Sequence, residues 1–174
     1  MHPHLVEPSN DTKLWRYMDF SKFLALLETR SLHMAALQSF EDPFEGHPPK
    51  TVIDAFTAEP AGLSPDELKQ RKKVVEKSLQ MIKNVRNLVY ASCWHMNPKE
   101  SAGMWSQYIR SGEGIAVQTT FERLKASLAG EAYGVSGAVV QYVDFETVET
   151  KEYNVLAWGA LKREESEHER EFRL

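Results

Sequence analysis

The stretch Ser64-Pro65-Asp66-Glu67 limits the folding of this chain more than any other. A serine followed three residues later by glutamate forms a capping box, in which each side chain satisfies a backbone amide at a helix start. Proline at the first helical position brings a preset φ and has no amide to leave unpaired. The spacing predicts a helix over 65–87, with Leu68, Val75, Leu79 and Ile82 on one stripe and Val74, Met81 and Val85 beside it. The opposite face carries Lys69, Arg71, Lys72, Lys73, Lys77, Lys83 and Arg86 against Asp66, Glu67 and Glu76. Two readings stay open for that basic face, a solvated helix surface and a nucleic-acid contact.

Around this helix, strand and helix patterns alternate. Residues 1–12 are polar and proline-containing and read as a flexible N-terminal arm. Leu14 to Met18 reads as a strand ending at Asp19, a helix cap, and Phe20 to Glu28 as a helix that buries Phe20, Phe23, Leu24 and Leu27. Ser31 to Ala35 is expected as a strand, Gln38 to Lys50 as a loop, and Thr51 to Ala58 as a short helix. Leu88 to His95 reads as a buried strand. Asn97-Pro98-Lys99-Glu100 opens a helix through Arg110, with Met104, Trp105, Tyr108 and Ile109 inside and both Trp105 and Tyr108 mostly buried. Gly112 and Gly114 end that helix before a strand around Ile115 to Val117, and Thr119 with Glu122 caps a helix over 120–128. Ala138 to Val143 has the strongest strand composition, Asn154 to Arg163 reads as helical, and the alternation over 169–174 fits a strand. The fold class is α+β, a mixed, mainly antiparallel sheet with flanking helices in a single domain over 13–174. A chain of 174 residues, 42% apolar, is long enough to bury such a core.

The formal charge of −4 gives no general pull toward nucleic acid or acidic lipid. The single cysteine, Cys93, cannot form an internal disulfide, and the chain start lacks the basic and apolar pattern of a secretory signal, so the cytoplasm is the expected compartment. No apolar run approaches the roughly 20 residues that a membrane helix needs. Cys93 and His95 share a strand face, but with His47 they satisfy no zinc spacing, so no metal is expected. None of Ser39, Ser92, Ser101 and Ser106 lies in a Gly-x-Ser-x-Gly elbow, and Gly112 and Gly114 precede a strand rather than a phosphate-binding helix.

Four motifs in order carry a resemblance. They are Leu14-Trp15-Arg16-Tyr17; Ser39-Phe40-Glu41-Asp42-Pro43-Phe44-Glu45-Gly46; Met104-Trp105-Ser106-Gln107-Tyr108 followed by Gly114-Ile115-Ala116-Val117; and Glu169-Arg170-Glu171-Phe172-Arg173. Together they resemble a family of bacteria and their phages, domain of unknown function 2971, although Glu41 stands where asparagine is more usual. Members of that family commonly continue past the last motif, so the resemblance implies a chain truncated at its C-terminus. It implies no activity.

Chemistry must therefore come from the side chains. Arg16, inside an apolar strand, needs a partner: a salt bridge to Glu169, Glu171 or Asp42, or the phosphates of a ligand. Asp42 and Glu45 flank an aromatic anchor, Phe44, in a proline turn, either to brace the loop or to face a cleft. Glu169 and Glu171, two apart, point to one side of a strand. An arginine, a serine and a late acidic pair resemble the pattern of ADP-ribosyltransferases, and that resemblance implies NAD as substrate. It places the NAD phosphates on Arg16, the nicotinamide ribose on Ser39, and the ribose hydroxyls on catalytic Glu171, with Glu169 as second acid; on the reading of the turn itself, Asp42 and Glu45 would bind a ribose hydroxyl or move a proton in a cleft. The rival is a non-enzymatic ligand-sensing or protein-interaction domain, and the third reading is nucleic-acid binding through the helix at 65–87. Phage defence is the setting expected for such a domain. Arg16 is expected within reach of Glu169 to Arg173 or of Asp42 to Glu45.

Overall fold

The computed structural model describes residues 5–109, 112–150 and 154–174. In chain order the elements are β1 (Lys13–Asp19), α1 (Phe20–Thr29), β2 (Ala35–Ala36), α2 (Lys50–Thr57), α3 (Pro65–Val85), β3 (Tyr90–Ala91), β4 (Cys93–Met96), α4 (Ala102–Tyr108), β5 (Gly114–Thr120), α5 (Phe121–Ser127), β6 (Ala138–Val139), β7 (Gln141–Val143), α6 (Val155–Trp158), β8 (Leu161–Arg163) and β9 (Glu171–Arg173). Short 3-10 turns lie at Leu37–Ser39 and Glu164–Glu169. The α+β class holds, and the chain gathers into two compact units that are each discontinuous in sequence. The first comprises Met1–Met34, Ala91–Val140 and Glu165–Leu174, the second Ala35–Tyr90 and Gln141–Glu164.

The first unit is built on a five-stranded sheet in the order β5-β1-β4-β9-β6. Its pairings are all antiparallel. Residues directly opposite across an antiparallel pair share a face, and neighbours along a strand do not. Trp94 opposite Phe172, with Leu14 two strands away, therefore turns one face toward α5, where Phe121 and Leu124 complete a buried core. The Phe121 and Phe172 rings meet edge to face at 5.3 Å. In the second unit Val52, Phe145, Trp158 and Leu161 form the core, with Ile82 of α3 packed against it. There β7 and β8 run parallel.

The capping box forms as the spacing requires: the Ser64 hydroxyl accepts from the Glu67 amide, and Glu67 Oε2 accepts from the Ser64 amide at 2.8 Å. Other expectations are corrected by partners distant in sequence. Residues 5–12 are tied down rather than loose, since the Glu122 amide donates to Asn10 O, the Val139 amide to Val6 O, and Lys125 pairs with Glu7 at 2.8 Å. Positions 1–4 lie outside the described residues. The strand expected over 31–35 shrinks to Ala35–Ala36. Phe20, Leu24 and Leu27 are exposed instead of buried.

The helix expected from Pro98 starts at Ala102 under a Ser101 cap, because the Asn97 amide donates to Lys13 O and the Trp15 indole to Asn97 O, which holds that stretch extended along β1. It ends at Tyr108, and Arg110 lies outside the described residues. Trp105 and Tyr108 are largely covered without being fully buried. Thr120, not Thr119, caps α5. The strand expected over 88–95 leaves Leu88 exposed and breaks at Ser92, whose amide and carbonyl bond Leu174 on both sides at 3.0 Å. The segment 138–143 splits at Val140: the Val140 amide donates to Glu171 O and the Gln141 amide to Ala160 O. The helix expected over 154–163 stops at Trp158 because Leu161–Arg163 pairs with β7.

Phe172 is fully buried on an interior strand, so Phe172→Ala should cost about 3–5 kcal/mol, read as a lower urea midpoint at unchanged slope. Val74 on the outer side of α3 is 60% exposed, and Val74→Ala should stay within about 0.5 kcal/mol in the same measurement.

Candidate functional site: the polar face of the sheet in the first unit

The alternation that gives the sheet its apolar face gives it a second, polar one. His95 lies opposite both Trp15 and Glu171, and Cys93 lies opposite Arg173, so these five residues share the face turned away from Phe172. Tyr17 belongs to the same face, with its ring 6.3 Å from that of His95 and 5.1 Å from Trp105 of α4, edge on. The Tyr17 hydroxyl accepts from the Ser101 amide at 2.9 Å, so the residue that caps α4 is also held over β1.

Glu171 and Arg173 form a two-pronged pair at 2.6 and 3.0 Å, with side chains only 3% and 4% exposed. Two residues apart on a strand is the spacing that lets both project to one side. Glu169 is buried just before β9 and accepts at 3.4 Å from Gln107, an exposed residue of α4, so one side chain separates it from the surface. His95 Nδ1 lies 2.6 Å from the Glu169 carbonyl oxygen. Its Nε2 is buried and has no hydrogen-bond partner among the described residues. Burial, then the nearby Cys93, Glu171 and Glu169, pushes the Tyr108 hydroxyl far above its ordinary range, although Arg173 opposes the shift. Tyr108 thus remains a neutral hydroxyl at any physiological pH. The face combines buried carboxylates, an imidazole with an open nitrogen and a neutral phenol, a set able to bind hydrogen-bonding groups and to move protons.

Arg16 belongs elsewhere. It alternates with Trp15 and Tyr17, so it projects from the apolar side, and its guanidinium carbon stands 5.7 Å over the Trp94 ring. Its two terminal nitrogens donate to Ser92 Oγ and His33 O, both at 2.8 Å, and Ser92 Oγ also accepts from the Trp94 indole at 3.1 Å. The expected carboxylate partner is replaced by a hydroxyl and a carbonyl. Burial lowers the Arg16 pKa against the opposing influence of Cys93 and Tyr108, yet a guanidinium stays charged. The strand register therefore sets Arg16 and Glu171 on opposite faces of one sheet, which separates the two ends of the NAD site that the sequence pattern suggested. Ser92, fully buried, is the serine that meets Arg16. Alternation from Trp94 gives its face, but nothing local names its partner.

Ser39, Asp42 and Glu45 belong to the second unit, whereas Arg16, Glu169 and Glu171 belong to the first. Ser39 is exposed and donates to Ala36 O at 2.7 Å. Asp42 binds the Phe44 amide at 2.9 Å through one oxygen and Arg163 Nε at 2.9 Å through the other. Although burial pushes the Asp42 carboxyl up, the hydrogen bonds from Arg163 and Phe44 and the charges of Arg163 and Lys162 hold it below its ordinary value. Glu45 is buried with Lys162, 3.5 Å away. Gly46 has φ +78°, and a Cβ there would fall 2.7 Å from Leu37 Cδ1, so only glycine closes the turn. These contacts are those of a braced loop.

On α3, Arg71 donates to the carbonyls of Phe56 and Ala58 and Lys72 pairs with Glu59 at 3.0 Å, and Arg86, just past its end, donates to the carbonyls of Leu37 and Asp42. The basic face is thereby partly committed to its own unit. Among the described residues no group of three or more His, Cys, Asp or Glu could hold a metal ion, and no helix is long and apolar enough to cross a membrane. No family model, curated protein or solved structure matches this chain.

Because the folded Asp42 carboxyl titrates below its unfolded value, its contribution is complete above that unfolded value and is lost as pH falls through the folded one. Asp42→Asn should therefore lower the urea midpoint at pH 7, and the gap from the native protein should close below about pH 4.

Proposed function

We propose that this protein is a ligand-sensing domain whose first unit takes up a small polar molecule at the face carrying His95, Glu169 and Glu171. The observation that carries this reading is the buried His95 Nε2, which has no partner among the described residues. A buried polar atom left unpaired costs about 1–3 kcal/mol, so a site that keeps one is a site where something else completes the bond. The commitment of Glu171 to Arg173 favours binding over catalysis, because a carboxylate held on both oxygens is slower to change partners during a reaction. The lone Cys93 supports a reducing compartment, the cytoplasm. The motif resemblance to domain of unknown function 2971 supports a setting in bacteria or phages, with phage defence as the role.

One observation favours the transferase reading instead: Arg16 does meet a serine, Ser92 rather than Ser39, at 2.8 Å. Thermal-shift and turnover assays with NAD and other ribose-bearing metabolites separate the two. For sensing, a ligand at a hundred times its Kd should stabilise the protein by about 2.7 kcal/mol, remain intact, and stabilise by only about half as much when His95→Phe weakens its binding about tenfold. Consumption of NAD that is abolished by Arg16→Ala and by Glu171→Gln would replace sensing with transfer. Stabilisation by a ligand that is indifferent to His95→Phe would remove the binding face proposed here.

A further inference from the structure

The atom that His95 leaves open also specifies what can occupy it. A backbone carbonyl only accepts hydrogen bonds, so the 2.6 Å approach of His95 Nδ1 to Glu169 O requires the proton to sit on Nδ1. A neutral imidazole has one ring proton, which leaves a bare lone pair on Nε2. A doubly protonated ring would put a second N–H at Nε2. Glu171 stands directly across the strand from His95, the obvious acceptor for such a proton, yet it turns its oxygens to Arg173, and Nε2 has no partner among the described residues. The open nitrogen is therefore an acceptor inside the protein, 3% exposed.

We propose that His95 Nε2 anchors the ligand by accepting a hydrogen bond from it, so the ligand is a molecule that presents a hydroxyl or an amine N–H at that point. This rests on the ligand-sensing reading above. The oxygens of an ionised carboxylate or a phosphodiester only accept, and two acceptors facing each other repel, so such groups are excluded from this atom. The phosphates of a nucleotide would have to lie elsewhere, and its ribose is the part that suits His95. Gln107 of α4 is exposed and donates to Glu169, the residue whose carbonyl holds His95 Nδ1.

Nitrogen NMR on the native protein labelled at histidine tests the proton position first, with the His95 signals assigned by their loss in His95→Phe. Nδ1 should read as protonated and Nε2 as bare; a proton found on Nε2 overturns the proposal without any variant having to fold. D-ribose and methylammonium then serve as the hydroxyl and amine probes. One of them should move the Nε2 resonance saturably, and which one does identifies the donor chemistry. His95→Phe should weaken that probe about tenfold, the effect of one lost hydrogen bond. If neither probe moves Nε2, a buried water alone fills the lone pair and the proposal falls. NAD that shifts amides of β4 and β9 while leaving Nε2 unmoved would end the donor assignment and leave ligand sensing intact.

Discussion

The Glu171–Arg173 pair is the contact on which the first unit's sheet depends. Both side chains are buried on β9, an interior strand between β4 and β6, and each supplies the charge that makes the other tolerable there. Removing either one from a buried pair costs about 3–5 kcal/mol, because the remaining charge has lost its partner and its water. Phe172 lies between them and points into the opposite core. A slip of one residue in the β4–β9 register would drive Phe172 into the polar layer and both ions into the apolar one. The pair therefore fixes the register, and the register in turn puts His95 across from Glu171.

On the other face the sheet manages a single charge differently. Arg16 spends its guanidinium on a serine hydroxyl, a backbone carbonyl and the face of an indole, three contacts that hold β1 to β4 and to the turn at His33. None of these returns a full negative charge. A guanidinium tolerates this because it is weakly hydrated and planar, so stacking and directed hydrogen bonds replace much of the lost water. The same arginine that looks like a phosphate clamp in a linear pattern is, in space, a brace beneath an aromatic ring.

What was legible in the sequence was what is local. The capping box at Ser64, the strands at Lys13–Asp19 and Gly114–Thr120, the helix after Thr120 and the alternation over 169–174 all follow from neighbours a few residues apart. The turn in which Asp42 takes the Phe44 amide was legible too, but not its second partner, Arg163, 121 positions away. Periodicity likewise showed that Phe20, Leu24 and Leu27 share a face of α1, yet not that the face is left exposed. Arg16 has partners that are hidden for the same reason. Its need for a partner is a local property, whereas the face from which it projects depends on pairings with β4 and β5 that no window around it contains.

The interior position of β9 has a consequence for how the protein is made. Residues 171–173 fill the gap between β4 and β6, strands synthesised well before them. During translation, β4 must wait with one edge open while the whole later segment of the second unit, Gln141–Glu164, emerges. An open strand edge is a template for pairing with another nascent chain. Until Glu171 and Arg173 have emerged, this sheet cannot seal. The chain's vulnerability to misassembly is therefore concentrated in time, between the appearance of Cys93 and the arrival of Phe172.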